Sequence, residues 1–246
     1  MWGDGPGGEQ DSRFGLQKAK ESVQTVPVGD IRMDVLFSPH PKRDQNHGLN
    51  LLEKQLRAAK ESIDMALFVF SAKRIANVLR EQIEQGVVIR LVADPSFASC
   101  HFSEVLDLLG VTLPDQACKV EAGNLPLDQD LKGVDTPRLD RGDKLHHKFA
   151  VIDNKKVMTG SFNWSPSATH TNDETQLVIH SPQLTQHFTR GMDRIWDGAE
   201  LEITPQLQRK LDRQKICCGD GTKREWKPED RYKGSSRHNP RMAQIT

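Results

Sequence analysis

Between Ile63 and Ala93 the chain reads as an apolar run, an amphipathic helix and a second apolar run, with Gly86 between the last two. No other feature limits the fold as much. The second run, Val87-Val-Ile-Arg-Leu-Val-Ala93, is β-branched and nearly continuous, and a strand without polar alternation has no face to turn towards water. Such strands sit inside a sheet with helices on both sides, paired in parallel through crossover helices. Ile75, Val78, Leu79 and Ile83 share one face of the intervening helix, and Gly86 is placed as its C-terminal stop. The fold class that follows is α/β, a mixed β-sheet flanked by helices.

The remaining signals extend that pattern. Met33–Phe37 is an extended run stopped by Ser38-Pro39, and Leu49, Leu52, Leu56 and Ala59 define a helix over about 49–60. Ile63–Phe70 reads as a buried strand. Ser103–Leu109 is a short helix closed by Gly110, Val120 begins a further strand, and the polar stretch 121–143 is a long loop. Strands follow over 145–153, 156–159 and 176–179. Ser181-Pro182 and Thr204-Pro205 are helix starts, each a capping hydroxyl before a proline at the first helical position. The sparse apolar content of residues 1–28 and 218–246 marks both ends as disordered, the second a weakly basic arm, and leaves 29–217 as the folded domain.

Charge narrows the partners. Lys plus Arg and Asp plus Glu number 34 each, so the chain does not hold a polyanion or an anionic membrane by bulk charge, and any anionic ligand must be gripped locally. The longest apolar run, Met65–Phe70, is six residues, well short of the roughly 20 that span a bilayer. The N-terminus shows neither a basic nor an apolar signal region, which points to the cytoplasm. Four cysteines without C-x2-C spacing read as ordinary thiols in a reducing compartment, with no metal site.

The chemistry concentrates in LHHKFAVIDNKKVMTGSFNWSPSATHTNDE, residues 145–174. On a strand His146 and Lys148 point the same way, while Phe149 and Val151 point into the core and His147 to the opposite side. Two basic groups side by side weaken each other's hold on a proton unless an anion lies between them, and a phosphate meets that need. After a turn at Asn154, Ser161 and Asn163 share a face, and Gly160 permits close backbone approach. An imidazole, an ammonium, a hydroxyl and a carboxamide thus converge. Lys155 and Lys156 form a solvated turn that, with Arg138, Arg141 and Lys144, supplies a local basic rim.

The pattern H-x-K-x4-D-x6-G-S-x-N, met by His146, Lys148, Asp153, Gly160, Ser161 and Asn163, resembles the HKD motif of the phospholipase D superfamily. The upstream helix–strand segment and Asn172-Asp-Glu174 resemble further elements of that family, and the likeness spans roughly 33–197. The resemblance implies a phosphohistidine mechanism: one histidine attacks phosphorus, a second protonates the leaving oxygen, and water releases the intermediate. His146 is then the nucleophile or the acid, Lys148 and Asn163 hold the non-bridging oxygens, and Ser161 adds a hydrogen bond. Asp153 braces the turn and Glu174 orients the imidazole. Lys144, Arg141, His170 and Trp164 are candidate substrate contacts. No metal or cofactor is implied.

The chain carries one motif, and 63–94 holds no histidine to hide a second. Single-motif relatives pair two chains about a two-fold axis, so the resemblance implies a homodimer that completes the site. For substrate it favours a nuclease acting on DNA or RNA. A lipid phosphodiesterase or transphosphatidylase acting on phospholipid is the alternative, and a non-catalytic phosphate-binding module the second alternative.

Overall fold

A computed structural model describes residues 15–18, 21–128, 131, 133–140, 142–201 and 203–218. At its centre β3 (Ser62–Leu67) and β4 (Val88–Ala93) run parallel, with Ser62 opposite Val88 and Leu67 opposite Ala93, joined by α2 (Lys73–Glu84). On one side of β3 come β6 (Lys148–Ile152), β7 (Lys156–Gly160), β8 (Thr175–His180), β2 (Ile31–Phe37) and β1 (Gln24–Val28), all antiparallel to their neighbours. On the other side β5 (Val134–Pro137) is parallel to β4, and β9 (Ala199–Leu201) closes the sheet antiparallel to β5. The described residues thus form one nine-stranded mixed sheet.

Both faces of the central strands are buried, as their unbroken apolar runs require. Ile63, Met65 and Leu67 of β3, with Ala150 and Ile152 of β6, pack under α1 (Gly48–Arg57), α2 and α4 (Glu104–Leu108). Ala66, Val92, Phe149, Val151 and Val157 point the other way, against Met192, Phe188 and Ile195 of α6 (Pro182–Asp197). Phe149 and Val151 therefore lie in the smaller of two cores.

One polar clamp pins α6. Arg90 on β4 donates to both oxygens of buried Asp64 on β3, at 2.7 and 2.8 Å, and to Asp193 on α6 at 3.0 Å. Its guanidinium also lies 5.5 Å from the Trp196 ring. This arginine is why β4 tolerates a charge within an apolar run.

Several expectations shift. β1 lies within the segment read as disordered. Its side chains are all exposed, so no burial period marks it, and it forms because β2 pairs with it and Thr25 donates to buried Asp34 at 2.7 Å. The strand over 63–70 ends at Leu67, and Phe70 makes an isolated bridge to Trp164. No strand begins at Val120 among the described residues. Inside the expected loop 121–143, Leu125 and Leu127 hydrogen-bond to Asp107, and β5 pairs with β4. Gly133 permits that pairing, since a Cβ there would lie 2.1 Å from the Ile89 carbonyl oxygen.

The cysteines also depart from the reading as four thiols. Cys118 and Cys218 are joined by a disulfide, fastening the end of α7 (Pro205–Cys218) to the segment after α4, while Cys100 and Cys217 are free. Partners separated by 100 residues are brought together by tertiary packing, which local spacing does not encode. The cysteine count accordingly gives no argument for a reducing compartment. Of the tail, residues 219–246 lie outside the described residues, and no helix among the described residues is long and apolar enough to cross a membrane.

Removing Arg90 would strand the Asp64 carboxylate. Arg90→Met is expected to destabilise the fold by about 3 kcal/mol, the low end for breaking a buried pair because Arg90 is partly exposed. Urea unfolding checks this, and the double variant with Asp64→Leu should recover part of the loss.

Candidate active site

The ends of β2, β3, β4 and β7 and the starts of β6 and β8 meet along one edge of the sheet, with Leu67 opposite Lys148, Gly160 opposite Gln176 and Phe37 opposite Thr175. The motif residues other than Asp153 lie at or next to these strand ends. Gly160 has φ +134° and a Cβ would fall 2.1 Å from the Thr175 carbonyl oxygen, so glycine alone lets β7 close onto β8 at this point.

His146 precedes β6 by two residues and is held from both sides. The Leu145 amide donates to Oδ2 of Asp94 at 2.9 Å, and the Phe68 amide donates to the His147 carbonyl at 2.8 Å. The His146 side chain is exposed, its ring 4.5 Å from that of Phe68. Lys148 is buried, and its Nζ donates to the His146 carbonyl at 3.0 Å and approaches His146 Nε2 at 3.3 Å. An ammonium only donates, so it faces the lone pair of Nε2. The same Nζ lies 5.0 Å from the Phe68 ring. Burial lowers the proton affinity of Lys148, and the charge of Glu174 opposes that shift.

Asn163 follows the end of β7 by three residues, and its Oδ1 is buried with no hydrogen-bond partner among the described residues. Leaving such an acceptor unpaired costs about 1–3 kcal/mol, which only a donor would offset. The Ser161 amide donates to the Thr175 carbonyl and its Oγ accepts from the Thr175 amide, each at 3.0 Å, which locks β7 to β8.

Other candidates separate from the site. Glu174 accepts from Asn172 Nδ2 at 3.3 Å and has no hydrogen bond to His146 among the described residues, so its link to the pair is the field it exerts on Lys148. Asp153 takes a left-handed backbone conformation, φ +52°, and its carboxylate accepts the amides of Lys60, Glu61 and Ser62 at 2.8–3.1 Å. It ties the β6–β7 turn to the entry of β3 and holds its proton affinity below the usual carboxylate range.

Trp164 is 3% exposed and packs edge-on to Phe70, so it is core and offers no face to a substrate. His170 donates from Nδ1 to the His40 carbonyl at 2.8 Å and lies edge-on to His47 at the C-terminal end of α5 (Pro166–His170). Lys144 is exposed and reaches Ser96 Oγ at 2.5 Å. Arg141 lies outside the described residues. His147 is exposed with its ring 5.6 Å from Phe149. No group of three or more His, Cys, Asp or Glu side chains able to hold a metal occurs among the described residues.

Two residues that the motif does not contain are central here. Asp94, fully buried, also caps α3 (Pro95–Ala98) by accepting from the amides of Ser96 and Phe97. Its Asp-Pro pair is a helix-start signal that sequence reading could have used. Phe68 carried no signal beyond its apolar run.

Comparison with known proteins agrees with this geometry. A family described as "Cardiolipin synthase, PLD-like domain" matches residues 52–196, a span that contains the entire site. The chain belongs to the phospholipase D-like family. It is 27% identical over 166 residues to the mitochondrial cardiolipin hydrolase of Mus musculus, covering 65% of each chain. Over 139 residues it is 30% identical to a phospholipase D of Rickettsia typhi, covering 56% of this chain and 57% of that one. The human cardiolipin hydrolase is 28% identical, with 61% and 53% covered. The chain thus spans about half to two thirds of these relatives. In fold it resembles the phospholipase D family member Nuc from Salmonella typhimurium (TM-score 0.53, 22% identity, 70% of this chain and 98% of that one). NucT from Helicobacter pylori is similar at TM-score 0.54 and 19% identity, with 69% and 98% covered.

Asp153 gives a stability test. Its depressed folded-state affinity means that its contribution is present above the ordinary carboxylate pKa and is lost as pH falls through the folded value. Asp153→Ala should cost about 3 kcal/mol at pH 7, given charge-assisted bonds to three amides. Between about pH 4 and pH 2 the gap between variant and parent should narrow, because the parent loses what the variant lacks. Denaturant midpoints measured across pH check both.

Proposed function

We propose that the protein is a phosphodiesterase that works through His146 without a metal ion, and that its substrate is nucleic acid. One observation carries the reading. His146 Nε2 and Lys148 Nζ stand 3.3 Å apart with no carboxylate hydrogen-bonded or ion-paired to either among the described residues. Two basic groups so placed form a seat for an anion, to which Asn163 Nδ2 is the further donor in this proposal.

The steps follow from these groups. A phosphate entering the seat draws the Lys148 ammonium onto a non-bridging oxygen and frees the Nε2 lone pair. Nε2 attacks phosphorus, forming a P–N bond while the P–O bond to the leaving group breaks. Lys148 and Asn163 hold the charge that builds on the non-bridging oxygens. The leaving oxygen needs a proton, and among the described residues no second imidazole is hydrogen-bonded to the His146–Lys148 pair. His40, His47 and His170 bond among themselves or to backbone, and His180 pairs with Asp34. His146 of a second copy, protonated, is the donor in this proposal. Now neutral, it takes a proton from water, the oxygen attacks phosphorus, and the P–N bond electrons return to His146.

Nucleic acid is favoured over lipid by where apolar surface lies. Of the exposed large apolar side chains, Val26 and Val28 lie on β1, Val88 at the start of β4 and Ile216 on α7, away from the strand ends beside His146 and Lys148. The apolar surface nearer that edge is narrow: Leu16, two residues from the Lys18 that reaches Ser38 and Asp173, and the half-buried rings of Phe68 and Phe97. The relatives named cardiolipin hydrolase and phospholipase D support a second reading, a lipid phosphodiesterase at the same site.

The deciding assay is cleavage of single- and double-stranded DNA and RNA at low salt in excess EDTA. The parent should cut, and His146→Asn should lose roughly 1,000-fold or more, the scale of a lost nucleophile or general acid. Cleavage of cardiolipin or phosphatidylcholine vesicles alone would replace the nuclease reading with the lipid one. Equal cutting by parent and variant would remove His146 from the mechanism.

A further inference from the structure

Beside His146 three aromatic rings form a ladder. The His146 ring meets Phe68 at 4.5 Å, and Phe68 meets Phe97 edge-on at 4.6 Å. Phe68 and Phe97 are half-buried, so each keeps some ring surface open. At the outer rung the exposed Lys144 reaches Ser96, the neighbour of Phe97. The ladder is held rigidly by one group. Asp94 accepts from the Phe97 amide at 3.3 Å and from the Leu145 amide at 2.9 Å, so a single buried carboxylate fixes both the outer ring and the residue preceding the catalytic histidine.

We infer that Phe97 is the stacking surface for the base of the nucleotide flanking the scissile phosphate, with Lys144 contacting an adjacent phosphate. This deepens the nuclease reading and rests on it. A base presents a π-face of about the size that one open ring offers, and stacking on aromatics holds single strands whatever their sequence. Two ring contacts separate Phe97 from His146, which is the reach of one nucleotide. An acyl chain would gain more from a broad apolar surface, and the open surface here is the part-exposed rings of Phe68 and Phe97 with a cation at the rim. Stacking also answers the zero net charge of the chain: affinity that bulk charge does not supply comes from ring contacts and one or two local cations.

The test is a cycle between protein and substrate. Four-nucleotide single strands are made with one central phosphodiester between methylphosphonate linkages, with either flanking base present or replaced by hydrogen. In the parent, loss of the base that stacks should lower kcat/KM about tenfold. In Phe97→Leu, which keeps the packing against Phe68, the same loss should matter less than twofold, and Phe97→Tyr should restore the parent's sensitivity. A merely structural role for Phe97 would lower kcat/KM for all substrates alike and leave the dependence on each base intact, and that result overturns the inference. Lys144→Ala should reduce by about one the slope of log affinity against log salt on a longer strand; an unchanged slope removes Lys144 from the subsite. Should the parent cut vesicles and no nucleic acid, the nuclease reading itself has failed, whereas base-independent cutting of these strands rejects the subsite alone.

Discussion

The buried carboxylate of Asp94 is the interaction on which the site depends. It stands at the end of β4, caps α3 through two amides and holds the Leu145 amide from a segment 51 residues away. A carboxylate with no exposure is stable there because its oxygens are filled by backbone donors. The parallel β3–β4 pair brings it to the edge that carries the candidate site, so the central strands set the position of His146 through one short chain of bonds. Asp153 has the same construction at the opposite end of β6, where its carboxylate gathers three amides. The strand that carries Lys148 is thus clamped at both ends by carboxylates that accept backbone N–H groups.

The electrostatics at that edge are deliberately incomplete. Lys148 is buried against Phe68 and next to an imidazole, with Glu174 acting on it only through space. In most folds such an ammonium would be paired with a carboxylate, as Arg90 is with Asp64. The contrast separates a cation paired within the fold from one with no carboxylate hydrogen-bonded or ion-paired to it among the described residues.

How much of this could be read from residues alone depended on whether the information was local. The strands β3, β4, β6, β7 and β8 and the helices α1, α2, α4, α6 and α7 all announced themselves by apolar period or by caps such as Ser181-Pro182. The fixed offsets from His146 to Asn163 carried the site because a strand, a turn and a strand are contiguous in sequence. What escaped was set by distant pairing. β1 has no buried side chain to mark it, and Val134–Pro137 becomes a strand only because Gly133 lets it approach β4. Asp94 and Phe68 reach His146 from segments 52 and 78 residues earlier. Trp164 and His170 were candidates by proximity in sequence, and the fold turns one into the core and the other towards His40.

The bond between Cys118 and Cys218 has a topological consequence. It closes a covalent ring whose two ends are 100 residues apart in sequence, and His146, Lys148, Ser161, Asn163 and Glu174 all lie inside it. Asp94 and Phe68, the groups that position the histidine, lie outside. A protease cutting once between the two cysteines opens the ring without parting the polypeptide, and the fragments stay tethered while the sheet holds their register. The segment from His146 to Glu174 is therefore wired to its scaffold twice, once through the backbone and once through sulfur.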